Sequence, residues 1–168
     1  LDNTIYPVSS IAGEVFGPLI ELIENAPELD DKAIASAKYD LMRRPFQHLA
    51  HDHGFSPALT NKGIDMLKNY AYPNQMQPFD DYQHLQKINL DKFLVTTGFT
   101  KLQNSKVKQL GIINDFKAIH IVDPEVSPKT KKDIFKELMD EYGYTPTDIL
   151  VIGDDPKSEI QAAQALNI

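Results

Sequence analysis

Residues 92–98 read Lys92-Phe93-Leu94-Val95-Thr96-Thr97-Gly98, a short apolar run that ends abruptly in two hydroxyls and a glycine. A run of this length, rich in branched and aromatic residues and closed by a turn signal, is the mark of a buried strand, here placed at Lys92 to Val95. Two more candidates follow, Ala118 to Val122 and Asp148 to Ile152, the second closing on Gly153-Asp154-Asp155-Pro156. The stretches between them, Asn104 to Leu110 and Pro128 to Tyr142, have the three- and four-residue apolar spacing of crossover helices. Strands alternating with helices predict a parallel sheet covered on both faces, so the fold class is α/β with a Rossmann-like core.

Upstream the texture is helical. Ile11, Val15, Phe16, Leu19, Ile20 and Ile23 recur at helical steps, with Ser9 or Ser10 available to cap the first turn. Further helical stretches at Asp31 to Met42, Phe46 to His53 and Pro57 to Tyr70 are separated by Pro27, Arg44-Pro45 and Gly54-Phe55-Ser56. With no repeat or linker, this block reads as a helical insertion over residues 8–78, leaving 1–7 and 79–168 as the core.

Composition narrows the function. A net charge of -7 without clustered Lys and Arg argues against binding a nucleic-acid polymer, whose phosphates need such clusters. No run approaches the roughly 18 apolar residues of a membrane span, so no membrane partner is expected. The absence of cysteine excludes thiolate chemistry and fits a reducing compartment, which makes the expected location cytoplasmic. The eight glycines contain no Gly-x-Gly-x-x-Gly, which disfavours a dinucleotide enzyme. His48, His51 and His53 lack an acid to complete a metal set and read as a polar helix face, and Arg43-Arg44 reads as surface.

Ligands of open parallel sheets bind beyond the carboxyl ends of the strands, so the residues there form one set. In chain order they are Asp2-Asn3-Thr4, Thr96-Thr97-Gly98, Lys129 and Gly153-Asp154-Asp155 through Glu159. These four motifs together resemble those of the haloacid dehalogenase-like superfamily. Leu1 to Pro7 looks like its Asp-x-Asp-x-Thr motif without the leading Asp, which the resemblance places immediately before Leu1. Val95 to Gly98 is similar to the second motif, often Thr-Asn where this chain has Thr96-Thr97. Lys129, six residues before Phe135, matches the third-motif lysine, and Ile152 to Glu159 resembles the acidic fourth motif. The run Asp2 to Pro7 is also similar to the start of pyrimidine 5′-nucleotidases, which carry a helical cap after the first motif.

The resemblance implies a phosphomonoester hydrolase working with Mg²⁺ through an aspartyl-phosphate on the Asp ahead of Leu1. It makes Asp2 the acid and base through its side chain and a metal ligand through its carbonyl. Asp154 becomes the metal carboxylate, with Glu159 or Asp155 as the second acid. Thr96, Thr97, Gly98 and Lys129 would hold the phosphoryl oxygens of a small-molecule phosphomonoester, possible substrates being nucleotide monophosphates. Dehalogenases of the superfamily lack an acid at the position of Asp2, so phosphate esters are favoured over carbon–halogen bonds. Two other classes compete: a non-catalytic member that binds phosphate or a partner, and a phospho-accepting receiver domain. Chain order opposes the receiver, where the acid pair comes early and the lysine last.

Overall fold

The computed structural model describes residues 1–168. Four helices come first: α1 (Ala12–Glu24), α2 (Asp31–Asp40), α3 (Phe46–Asp52) and α4 (Pro57–Asn69). A short α5 (Tyr82–Gln86) then leads into β1 (Phe93–Thr97), α6 (Thr100–Leu110), β2 (Ala118–Val122), α7 (Lys131–Tyr142) and a final short helix, α8 (Gln161–Gln164).

Local chemistry accounts for most of the boundaries. Asp30 caps α2 through Ala33 N–H at 2.7 Å, and Ser56 caps α4, whose first position is Pro57. Thr130 and Asp133 form a capping box on α7. Helices α6 and α7 stop at Gly111 and Gly143, both at φ 70, a left-handed conformation that glycine adopts without steric cost. The expected serine cap on α1 is absent. Val8–Ser10 instead makes a 3-10 turn, the Ser10 hydroxyl donates to the Pro7 carbonyl at 2.7 Å, and Ile11 occupies the cap position.

Val15, Leu19 and Ile23 on α1, Phe46 and Leu49 on α3, and Leu59 and Leu67 on α4 bury one apolar cluster. Helix α4 can approach closely because a Cβ at Gly63 would overlap the Phe46 ring. The cluster runs on without a break through Leu102, Val107 and Leu110 of α6 to Leu94 of β1. Helices α4 and α6 pack directly, so the helical block is seated on the sheet layer rather than tethered beside it. Backbone bonds tighten the junction: Tyr72 N–H donates to Ser105 Oγ at 2.8 Å, Met76 N–H to the Gln109 carbonyl at 3.1 Å, and Phe79 N–H to the Ile5 carbonyl at 2.8 Å.

Strands β1 and β2 pair in parallel, from Phe93 opposite Ala118 to Thr97 opposite Val122. The two-residue period sends Leu94 and Thr96 toward α6, while Phe93 and Val95 join Val122, Ile134 and Leu138 beneath α7. The third expected strand, Asp148 to Ile152, does not form one. Pro146–Asp148 is a 3-10 turn, and the extended residues after it pair with neither strand. Leu150 and Ile152 are 83% and 64% exposed. An extended segment becomes a strand only when a neighbour takes up its N–H and C=O groups, and this one lines an open cleft that β1 also borders. No helix is long and apolar enough to cross a membrane.

Buried Asp123, just past β2, accepts from Thr100 N–H at 2.7 Å and Thr100 Oγ1 at 2.8 Å, and its other oxygen accepts from Glu125 N–H at 3.0 Å. It therefore caps α6 from across the sheet. Asp123→Ala should lower stability by about 1–3 kcal/mol, with a smaller loss for Asp123→Asn, read as the shift in urea midpoint.

Candidate active site

Every residue singled out in the sequence, Asp2, Thr96, Thr97, Gly98, Lys129, Asp154 and Glu159, lines one wide cleft of about 2380 Å³. The cleft runs the length of β1, from Asp91 to Gly98, and extends to the turn between α2 and α3 and to α3 itself through Arg43 and Gln47. Gln47 Nε2 reaches Glu125 Oε1 at 3.5 Å across it.

The first motif is a tight turn. Ile5 N–H donates to the Leu1 carbonyl at 2.9 Å, Asn3 stands at φ 53, and Asn3 Oδ1 accepts from Val8 N–H at 3.0 Å. Asparagine tolerates that left-handed backbone better than most side chains. The turn aims the Asp2 carboxylate inward. Oδ1 accepts from Tyr6 OH at 2.5 Å and Lys106 Nζ at 2.7 Å, and Oδ2 accepts from Gln103 Nε2 at 2.8 Å. Burial favours the neutral acid, but the Lys106 ammonium and its hydrogen bond outweigh that and hold the carboxyl well below the usual carboxylate range. The Tyr6 hydroxyl, fully buried against that anion, is pushed up correspondingly.

Thr96 is buried, and its Oγ1 accepts from the same Gln103 amide at 2.8 Å. Gly98 N–H donates to the Val122 carbonyl at 3.0 Å, so that N–H, expected to face a phosphoryl group, is already taken by the sheet. Alternate backbone groups of a strand point to opposite edges, so Thr97 N–H faces the edge that β2 leaves free.

The third and fourth motifs meet through a different lysine from the one expected. Lys129 precedes the cap of α7 and pairs with Glu137 at 2.7 Å, with both side chains about half exposed. Lys131, the first residue of α7, pairs with Glu159 at 2.7 Å, with the two side chains 14% and 10% exposed. A cation at a helix N-terminus is disfavoured by the helix dipole, and Glu159 offsets that cost. Glu159 also accepts from Asp155 N–H at 3.2 Å, and a Cβ at Gly153 would overlap its carboxyl group, so only glycine fits there. Burial works against the Glu159 charge, yet the Lys131 contact lowers its carboxyl to about 2. Asp155 Oδ1 accepts from Lys157 N–H at 2.8 Å and closes the turn that follows.

The expected metal set is the Asp2 carbonyl with the Asp154 and Glu159 carboxylates, and no three His, Asp or Glu side chains gather closely enough to hold an ion alone. Lys106 has claimed Asp2 and Lys131 has claimed Glu159. Asp154 differs, being exposed and without a cationic partner. Its Oδ1 accepts from Thr4 Oγ1 at 3.0 Å, and that hydroxyl lies 3.4 Å from the Asp2 carbonyl oxygen. An unpaired carboxylate and a carbonyl around one hydroxyl are oxygen donors of the kind magnesium takes, with water completing its shell. Among the histidines, His53 pairs with Asp40 at 3.0 Å and His51 with Asp52 at 3.1 Å.

The sequence reading missed Gln103, Lys106 and Lys131, and it named Thr4 within the first motif without giving it a role. Gln103 and Lys106 left a trace, since they interrupt the inward face of α6 marked by Leu102, Val107 and Leu110. Polar residues on a buried helix face need partners.

The family model for haloacid dehalogenase-like hydrolase matches residues 1–167, and the chain belongs to that family of hydrolases. Among solved structures the fold is similar to a haloacid dehalogenase-like family hydrolase from Xanthomonas campestris, with a TM-score of 0.58 at 12% identity over 98% of this chain and 75% of that one. No curated protein sequence matches.

The Lys131–Glu159 pair has a pH signature. Folding lowers the Glu159 carboxyl from 4.5 to about 2, so the unfolded chain binds that proton more readily. Its contribution, on the order of 3 kcal/mol, is fully present above pH 4.5 and lost as pH falls toward 2. Urea midpoints measured between neutral pH and pH 3 should fall across that window, and Glu159→Gln should flatten part of the slope.

Proposed function

We propose that the chain is a Mg²⁺-dependent phosphomonoester hydrolase, with residues 1–7 and 79–168 as catalytic core and residues 8–78 as a helical cap over the cleft. The observation that carries this reading is the Thr4 hydroxyl, which joins the Asp2 carbonyl to the unpaired Asp154 carboxylate across 150 residues of sequence. Those two oxygens would hold the ion, which when bound supplies positive charge between an anionic ester and an anionic nucleophile.

In this reading the attacking carboxylate belongs to an Asp directly before Leu1. It displaces the leaving alcohol and takes the phosphoryl group, splitting a difficult hydrolysis into two easier steps. Asp2 gives the departing oxygen its proton and later takes one from the attacking water, a role worth roughly 10²–10⁴-fold. For this Oδ1 must exchange its Tyr6 and Lys106 contacts for the proton and the substrate, while Oδ2 keeps the Gln103 amide. Thr96 Oγ1 and Thr97 N–H hold phosphoryl oxygens. Of the two lysines, the contact with Glu159 favours Lys131 over Lys129 as the cation facing them. Cap residues such as Arg43 and Gln47 would read the rest of the substrate, for which nucleotide monophosphates are our choice.

The test is hydrolysis of p-nitrophenyl phosphate by protein carrying the Asp ahead of Leu1. Activity should require millimolar Mg²⁺, vanish with EDTA, and fall roughly 10²-fold or more in Asp154→Asn, and Asp2→Asn should cost as much on an alkyl phosphate, whose leaving group needs the proton. Lys131→Ala should be far more damaging than Lys129→Ala. Absence of Mg²⁺-dependent turnover across a panel of nucleotides and sugar phosphates would refute the assignment.

A further inference from the structure

Gln103 is a glutamine at 2% exposure, on a helix, and belongs to none of the sequence motifs that mark the site. Its Nε2 lies 2.8 Å from Asp2 Oδ2, 2.8 Å from Thr96 Oγ1 and 3.3 Å from the Thr97 carbonyl. Burying a primary amide is costly unless its protons are used, and here the first-motif acid and the end of β1 use them. A second, independent feature points the same way. Gly98 stands at φ 149, and a Cβ there would come within 3.0 Å of the Gln103 side chain, so the backbone of the second motif is laid directly against this amide.

The neighbouring contacts show what Gln103 adds. Tyr6 and Lys106 both bind Oδ1 of Asp2, which leaves Oδ2 to Gln103. Two contacts to one oxygen fix its position but leave the carboxyl plane free to turn about it. The Gln103 contact to the second oxygen removes that freedom, and because the same amide holds Thr96, it couples two groups 94 residues apart in sequence.

We propose that Gln103 is a positioning residue that sets the Asp2 carboxyl and the Thr96 hydroxyl as one unit, so that the proton donor and the phosphoryl-binding hydroxyl are registered to the same substrate. It touches neither substrate nor reacting atoms and acts through Asp2 and Thr96. The proposal rests on the phosphatase reading above for its catalytic consequence. In the step concerned, the phosphorus–oxygen bond to the leaving group breaks, its electron pair stays on that oxygen, and the proton of the Asp2 carboxyl makes the alcohol. An alkyl leaving group needs that proton, whereas p-nitrophenolate departs without it.

Gln103→Leu keeps the volume and removes the hydrogen bonds, and Lys106 and Tyr6 still hold Asp2. In the active full-length protein it should lower kcat on an alkyl phosphate such as glycerol 3-phosphate by about 10-fold or more, leave KM nearly unchanged, and slow p-nitrophenyl phosphate by less than about 3-fold. Gln103→Glu, which sets a second carboxylate against Asp2, should be worse than Gln103→Leu on both substrates. Equal losses on the two substrates would indicate a merely structural residue and overturn the proposal. A readout without turnover separates this from failure of the phosphatase reading. The Gln103 side-chain amide protons, followed by NMR hydrogen exchange, should be protected in the wild type and lose protection in the double variant Asp2→Ala/Thr96→Val. Rapid exchange in the wild type would sink the proposal whether or not the protein hydrolyses phosphate esters.

Discussion

The ion pair between Lys106 and Asp2, 2.7 Å long with the ammonium side chain only 6% exposed, is the contact on which the arrangement of the site depends. A carboxylate drawn out of water at the floor of a cleft must be met by a cation or by donors, or it takes up a proton. Lys106 comes from the buried face of α6, so its side chain reaches Asp2 only if the first turn, the helix and the end of β1 sit in one relative placement. Removing one member of such a pair leaves the other charge stranded, which is why these pairs specify geometry even where they add little net stability.

The same logic repeats on the opposite wall. Glu159 folds over Gly153, is met by Lys131, and takes up the Asp155 N–H. Two of the three acids are thereby neutralised by protein cations, while Asp154 has only the Thr4 hydroxyl. The acid left without a cation is the one that shares the Thr4 hydroxyl with the Asp2 carbonyl.

The helical block α1–α4 shares the apolar cluster that supports α6, so it cannot be treated as decoration. Its packing through α4 and the stitched residues 72–79 fix the helix that carries Gln103 and Lys106, while α2 and α3 contribute the outer lining of the cleft. Stability of the helical block and precision of the site are therefore linked through one helix. Asp123 works to the same end from the end of the neighbouring strand, capping α6 just after β1.

The sequence by itself determined what depends on neighbours along the chain. Periodicity located α1 through α4, α6, α7 and both strands to within a few residues, because helix and strand bury their apolar faces at fixed periods. Asp2, Thr96, Lys129, Asp154 and Glu159, named from the sequence as strand-end residues, all border the cleft, although only Thr96 belongs to a strand. Only the tertiary structure decided the rest. The extended run at Ile149 to Ile152 has no ladder partner, which no local signal reveals, because strand character is a property of pairs. That Lys131 and not Lys129 meets Glu159 turns on where α7 begins, and the contacts of Gln103 and Lys106 turn on which side chains face a buried anion. Spacing along a chain encodes direction, whereas which charge meets which is a matter of distance in three dimensions.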